Sequence, residues 1–181
     1  MSEQQIIEWI AQDDQRMAAL RTARTLALND WCLAAGFVRN LVWDRLHKHP
    51  QNTPLNDIDV VYFNPQELSA EADKLYEQRL DALAPHLPWS VKNQARMHVK
   101  YGREPYRSSS DAISYWVEIE TAVGVRLNDN DKLELVAPLG VESLFDFTIS
   151  ANPKHGAPAV LLERARTKNW TGIWPSLRIK I

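Results

Sequence analysis

A chain of 181 residues with a hydrophobic share of 45% has room for one domain with a sizeable core. Its charges of both signs sum to −2, which argues against general polyanion binding but leaves room for a local basic patch that holds a triphosphate. The single cysteine, Cys32, excludes an internal disulfide and a cysteine-cluster zinc site, and its apolar neighbours point to a buried, inert thiol. No apolar run is long enough to span a bilayer, and residues 1–5 lack the basic and apolar features of a signal peptide, so a soluble cytoplasmic protein is expected.

Ser2 and Gln5 have capping-box spacing, and Ile6, Ile7 and Ile10 follow at helical intervals. A second helix is expected from about Asp14 to Leu28, with Met17, Leu20 and Leu28 inward and Arg16, Arg21 and Arg24 outward. Residues 31–35 read as a short strand that is apolar on both faces; Gly36 breaks it, and helical spacing resumes through Val38, Leu41, Val42 and Leu46. Pro50, Asn52 and Pro54 mark residues 47–56 as a loop before a strand over 57–63. Asn64, Pro65 and Glu67 stand in the order of a helix start, which predicts a helix running to about Leu83. Residues 89–91 enter another strand, and 93–98 read equally as strand or short helix. A loop over 102–110 and a short helix over 111–116 precede a hairpin, 123–127 with 132–136, around the turn residues 128–131. The last part offers a helix over 159–167, a packed segment over 170–175 and a short strand within 177–181. Seven tryptophans are scattered along the chain; such rings stack on bases in some proteins, but they more often anchor a core.

The chemistry concentrates in two segments. Asp57 and Asp59 lie two apart in the expected strand, so their side chains share one face while Ile58, Val60 and Tyr62 take the other. Two carboxylates so close repel each other, and a divalent cation, magnesium, is the fitting compensation for paired aspartate oxygens. Upstream, a strand ends at Gly36 and a helix carrying Arg39 begins at once. Glycine lets backbone approach a ligand, free amides at a helix start attract anions, and Arg39 in the first turn is placed to fork onto phosphate oxygens. A phosphate cradle followed by metal-binding acids is equipment for phosphoryl or nucleotidyl transfer.

The run Ala34 to Asn40, followed by Asn56 to Phe63, resembles the DNA polymerase beta-like nucleotidyltransferase superfamily, and its Gly-Phe-Val-Arg-Asn form is similar to the Gly-Gly-x-x-Arg-Asp of tRNA nucleotidyltransferases. Residues 91–98, 116–118, 121–127, 137–140 and 143–145 extend a likeness to an uncharacterised bacterial nucleotidyltransferase-like family over about Trp31 to Phe147. The resemblance implies an α/β (α+β) fold: a small mixed sheet flanked by helices and preceded by an N-terminal helical pair. With no repeat or linker to split the chain, one domain is expected over 1–181, with N-terminal helices over 1–29, a catalytic core over 30–150 and a C-terminal helix and tail over 151–181. Nucleotide contacts are implied for Ala35, Gly36, Arg39 and Asn40, and metal binding with catalysis for Asp57 and Asp59. Ala35 replaces the first small residue of the superfamily's glycine pair or Gly-Ser, and Asn40 replaces the aspartate after the arginine. A third carboxylate is expected on a later strand; no acid occurs between Pro85 and Arg103, which leaves Glu118, or else Glu120, as the candidate. The expected reaction is magnesium-dependent transfer from an NTP to an unknown acceptor hydroxyl. A nucleic-acid acceptor is possible but not indicated by charge, and no membrane partner is expected. Two rival readings are an inactive nucleotide-binding or regulatory module, and an interaction protein that docks a partner through its C-terminal tryptophans.

Overall fold

The computed structural model describes residues 2–181. Helices α1 (Ser2–Ala11) and α2 (Asp14–Arg24) form the expected pair, with the Asp13 side chain capping α2 by accepting from the Arg16 amide at 2.9 Å. Helix α2 stops at Arg24 rather than near Leu28, because the Thr25 hydroxyl donates to the Thr22 carbonyl at 2.6 Å and Ala27 takes a positive φ of 49°. Leu26 and Leu28 are buried all the same, so the apolar pattern outlasts the helix. Arg16 also departs from expectation: it is buried, its Nε donating to the Phe37 carbonyl at 2.7 Å and its NH1 to Asp13 at 3.0 Å.

Five strands form a mixed sheet in the order β3-β2-β1-β4-β5: β1 (Cys32–Ala34), β2 (Ile58–Tyr62), β3 (Trp89–Asn93), β4 (Gly124–Leu127) and β5 (Leu133–Val136). β1 runs antiparallel to β2 and β4, β2 and β3 are parallel, and β4–β5 is the predicted hairpin. Ala34 pairs with Asp59, and Asp59 with Ser90, so the end of β1 sits directly beside the acidic strand. Helix α3 (Gly36–Leu46) leaves β1 at once, and α4 (Ala70–Leu83) connects β2 to β3. α4 is capped by Ser69, not Asn64. The Asn93 amide donates to the carbonyls of Asn64 and Glu67, both at 2.8 Å, and holds that segment as a loop. The ambiguous stretch after β3 is a 3-10 helix, Gln94–Tyr101. Helix α5 (Ser109–Ile113) follows, then β6 (Thr148–Ser150), α6 (Pro158–Thr167), α7 (Trp170–Ile173) and β7 (Arg178–Lys180), with β6 and β7 pairing as a small parallel sheet.

Leu33, Ile58, Val60, Val91 and Val125 project from one sheet face into the main core, against apolar residues of α1 to α4. Cys32, Ala34 and Val61 project from the other into a smaller cluster with Ile113 and Ala122. Burial raises the Cys32 thiol to about 12, which leaves it a packing group. A third cluster joins Trp43 of α3 to Leu161, Trp170, Trp174 and Leu177, fixing the C-terminal elements to the helix that follows β1. Among the described residues no helix is long and apolar enough to cross a membrane.

Candidate active site

The site grows from the turn between β1 and α3. Ala35 has φ 58° and ψ −122°, a conformation that a Cβ disfavours. It is held there by its amide, which donates to the Val123 carbonyl at 2.9 Å, and by its carbonyl, which accepts from the Arg39 amide at 2.9 Å. No side chain among the described residues caps α3, so its leading amides and positive dipole end stand at a cavity that Ala35 and Gly36 line. A Cβ on Gly36 would come within 3.2 Å of Arg39 NH2 and 3.3 Å of the Asn40 amide nitrogen, so glycine lets both side chains lie across the turn.

Arg39 is 6% exposed. Its NH1 donates to Thr121 Oγ1 at 2.8 Å, and its NH2 and Nε to Asn40 Oδ1 at 3.0 and 3.2 Å. The guanidinium lies 4.7 Å from the Trp170 ring centre and 5.2 Å from that of Trp43. Burial lowers its pKa to about 10 against the opposing charge of Glu118. Every guanidinium nitrogen therefore has a protein partner already.

Asp57 lies one residue before β2 and is exposed; Asp59 is half-buried within the strand, and Ile58, Val60 and Tyr62 are buried on the opposite face. Neither carboxylate accepts a hydrogen bond or joins an ion pair among the described residues. Burial and then the charge of Asp57 push the Asp59 carboxyl above the usual carboxylate range, against Arg39, Lys168 and Lys92. Both aspartates line a cavity of about 310 Å³ together with Gly36, Arg39, Asn40, Arg164 and Lys168. A second cavity of about 250 Å³ adjoins it, shares Ala35, Asp59 and Arg164, and continues over Ser90 and Lys92 to Tyr101, Arg103 and Tyr115.

Glu118 is not on a strand beside these acids. It precedes a 3-10 turn, Ile119–Thr121, so it and Glu120 do not alternate along an extended segment. Glu118 is fully buried and lines neither cavity. Its Oε2 accepts from Arg164 Nε at 2.7 Å and its Oε1 from Thr121 Oγ1 at 2.6 Å. Since the Thr121 hydroxyl also accepts from Arg39, one chain of bonds links Glu118 to the α3 turn. Glu120 accepts from the Ser150 amide at 2.7 Å and the Thr148 hydroxyl at 3.3 Å. Among the described residues no three His, Cys, Asp or Glu side chains gather as a metal cluster. Two unpartnered carboxylates beside a cavity of about 310 Å³ nevertheless fit magnesium that arrives on a triphosphate, because magnesium is commonly held by one or two carboxylates plus substrate oxygens.

Arg164 and Lys168 were missed from the sequence. Arg164 on α6 and Lys168 at its C-cap stand at i, i+4 and flank the buried Leu161 and Ala165, which was the available signal, but nothing local ties α6 to β2. Three further polar residues on and after β3 go separate ways: Lys92 lines the second cavity, Arg96 pairs with Asp73, and His98 meets the Tyr106 ring edge-on at 6.1 Å. His47 and His49 stack at 5.9 Å, and His47 Nδ1 lies 2.8 Å from the Trp43 carbonyl.

Residues 21–179 match the profile described as nucleotidyltransferase, and the chain belongs to that family. A structure described as revealing a CCA-adding enzyme head domain is similar at 36% identity and a TM-score of 0.81, over 98% of this chain and 95% of that one. A CCA-adding enzyme with CTP matches at 13% identity and a TM-score of 0.58, and this chain spans 43% of its length. A tRNA-processing enzyme complex matches at 15% identity and a TM-score of 0.54, over 90% of this chain and 43% of that one. These two likenesses concern the fold alone. Among curated proteins none matches.

Proposed function

We propose that the protein moves a nucleotidyl group from an NTP to an acceptor hydroxyl with magnesium as cofactor. The observation that carries this reading is the pair Asp57 and Asp59, free of protein partners, on the wall of a cavity that also holds the open start of α3. Asp57 and Asp59 would hold the magnesium of an Mg–NTP complex, and when bound that ion would neutralise phosphate charge and lower the pKa of the attacking hydroxyl. The first amides of α3, Arg164 and Lys168 bind and orient the triphosphate. Arg39 braces the turn rather than grips the ligand, because its guanidinium is used on Asn40 Oδ1 and Thr121, whereas the Asn40 amide nitrogen makes no hydrogen bond among the described residues and is left to donate to the ligand. Glu118 acts as a positioning residue that holds Arg164 at the junction of the two cavities.

Calorimetric titration of magnesium with non-hydrolysable NTPs tests the assignment. Asp57→Asn and Asp59→Asn each weaken Mg–NTP binding by about tenfold or more with the fold intact, the scale of one lost charge-assisted contact. Unchanged affinity in the double variant would refute the site. A second reading, a nucleotide-binding module without turnover, is favoured by the absence of any third acid from the lining of either cavity. Tight Mg–NTP binding with no product from any acceptor pool, including RNA with free 3′ ends, supports that alternative.

A further inference from the structure

The cavity beyond Asp59 differs in chemistry from its neighbour. Its floor includes Ser90 and Lys92 of β3, which pair with Asp59 and Val61 and so share their sheet face. Arg103 stands in its wall with the guanidinium 4.5 Å from the Tyr101 ring centre and 4.6 Å from that of Tyr115. Arg103 NH1 also donates to the Tyr106 hydroxyl at 3.0 Å and NH2 to the His155 carbonyl at 3.2 Å, so this cation is fixed before a ligand arrives. The Lys92 ammonium is exposed and makes no hydrogen bond or ion pair among the described residues. Asp59 is the one acid in the lining, against Lys92, Arg103 and Arg164. Where a strand next to the aspartates would need a carboxylate to hold a further metal ion, β3 presents a lysine. This arrangement repels a cation and attracts an anion.

We propose that this cavity receives the acceptor, and that the acceptor is a small, ring-bearing molecule carrying its own phosphate, such as a phosphorylated nucleoside or sugar, bound by Lys92 and Arg103. The proposal rests on nucleotidyl transfer at the aspartate pair. The volume of about 250 Å³ lies at the small end of ligand sites and suits a single nucleotide or sugar phosphate rather than a polymer. The net charge of −2 likewise gives a polynucleotide no general attraction. Arg103 lies over the Tyr101 and Tyr115 rings, so contact with a sugar or base ring falls to Tyr106 and Trp116, which also line the cavity. In the transfer the acceptor oxygen bonds to the α-phosphorus of the NTP. The bond from that phosphorus to the bridging oxygen of the β-phosphate breaks, pyrophosphate leaves with the electron pair, and the hydroxyl proton passes to water.

The test titrates AMP, adenosine and a 5′-phosphorylated RNA hexamer into protein saturated with magnesium and a non-hydrolysable NTP, so that the neighbouring cavity is filled. AMP is expected to bind about tenfold or more tightly than adenosine, the scale of one charge-assisted hydrogen bond, and the hexamer no more tightly than AMP. Lys92→Glu, an exposed change expected to leave the melting temperature unaltered, removes the preference for AMP. Equal binding of AMP and adenosine, or AMP binding untouched by Lys92→Glu, overturns the proposal. A hexamer that binds about tenfold tighter than AMP overturns it in favour of a polynucleotide acceptor. A Lys92-dependent preference for AMP in a protein whose aspartates bind no Mg–NTP would instead sink the transfer reading; the cavity would then be a phosphate site with no acceptor role.

Discussion

Asp59 is the residue where the two cavities meet, and its surroundings set its chemistry. Its carboxyl carries the cost of burial and of a like charge two residues away, with no hydrogen bond to offset either. Asp59→Asn should therefore leave the fold as stable or more so while removing cation binding, a split that thermal melting and calorimetry read separately. Ala35 carries strain of a different kind. At φ 58° and ψ −122° a glycine rests more easily, so Ala35→Gly is expected to raise stability by about 1 kcal/mol in urea unfolding, strain relief exceeding the added backbone entropy. A loss of stability would mean that the methyl group packs well enough to outweigh the backbone. At this scale much was legible in the sequence. Alternation in β2 gave the aspartates their shared face, and the turn at Gly36 announced an open helix start. Arg39 was legible as a first-turn cation, but its real partners were not: Thr121 and Trp170 come from distant segments that no local pattern connects to α3.

The elements that complete the site are short and irregular. The 3-10 turn Ile119–Thr121 sends Glu118 toward α6 and Glu120 toward β6. A strand there would have placed both acids on one sheet face, and an acid-rich segment gives no local sign of which geometry wins. If Glu118 positions Arg164, Glu118→Gln lowers Mg–NTP affinity and costs about 1–2 kcal/mol of stability, a figure kept low because Arg164 is a third exposed. A third metal acid would instead lose turnover with affinity intact, so the two outcomes separate in one binding and rate comparison. Glu120 gives a pH signature. Burial raises its carboxyl above the usual range, so the folded state holds the proton to higher pH than the unfolded chain. The sign follows from linkage: this group's contribution is fully present at low pH and is lost as pH rises from the ordinary carboxylate range through the raised value. Glu120→Gln is expected to flatten that part of the stability–pH curve, measured by urea melts at a series of pH values, and an unchanged slope would contradict the assignment. The start of α4 was misread for a related reason: Asn64 and Glu67 look like a helix entry, but Asn93 from β3 claims their carbonyls first.

Across the whole molecule, α3 is gripped from both sides. Apolar residues of α1 and α2 pack on its core face, while Trp43 meets Trp170 and Trp174 edge-on at 5.9 and 5.0 Å. Asp44 binds the two sides together: it is 2% exposed, accepts from Trp174 Nε1 at 2.8 Å, and takes the Thr53 amide at 2.7 Å and hydroxyl at 2.6 Å. Trp174→Ala is expected to cost about 3–5 kcal/mol through the cavity it leaves. It should also speed hydrogen exchange at the Thr53 amide, because the Asp44 carboxylate loses one of its anchors. Destabilisation without a local change at Thr53 would confine the tryptophan to packing. The sequence showed the C-terminal tryptophans as anchors but not where they anchor, since the Trp43 contact spans most of the chain.

The walls of the triphosphate cavity come from stretches far apart in the chain, with Gly36, Asp57 and Asp59 early and Arg164, Lys168 and Trp170 late. During synthesis the strand carrying both aspartates leaves the ribosome long before α6 does, and a domain folds as a unit once its parts have emerged. A nascent chain therefore passes through a period with its acidic pair displayed and no lysine or arginine from α6 to balance an incoming anion. On the proposed assignment, nucleotide capture would wait until translation has passed Trp170, and a polypeptide halted before that point would carry the carboxylates without the cations of the C-terminal segment.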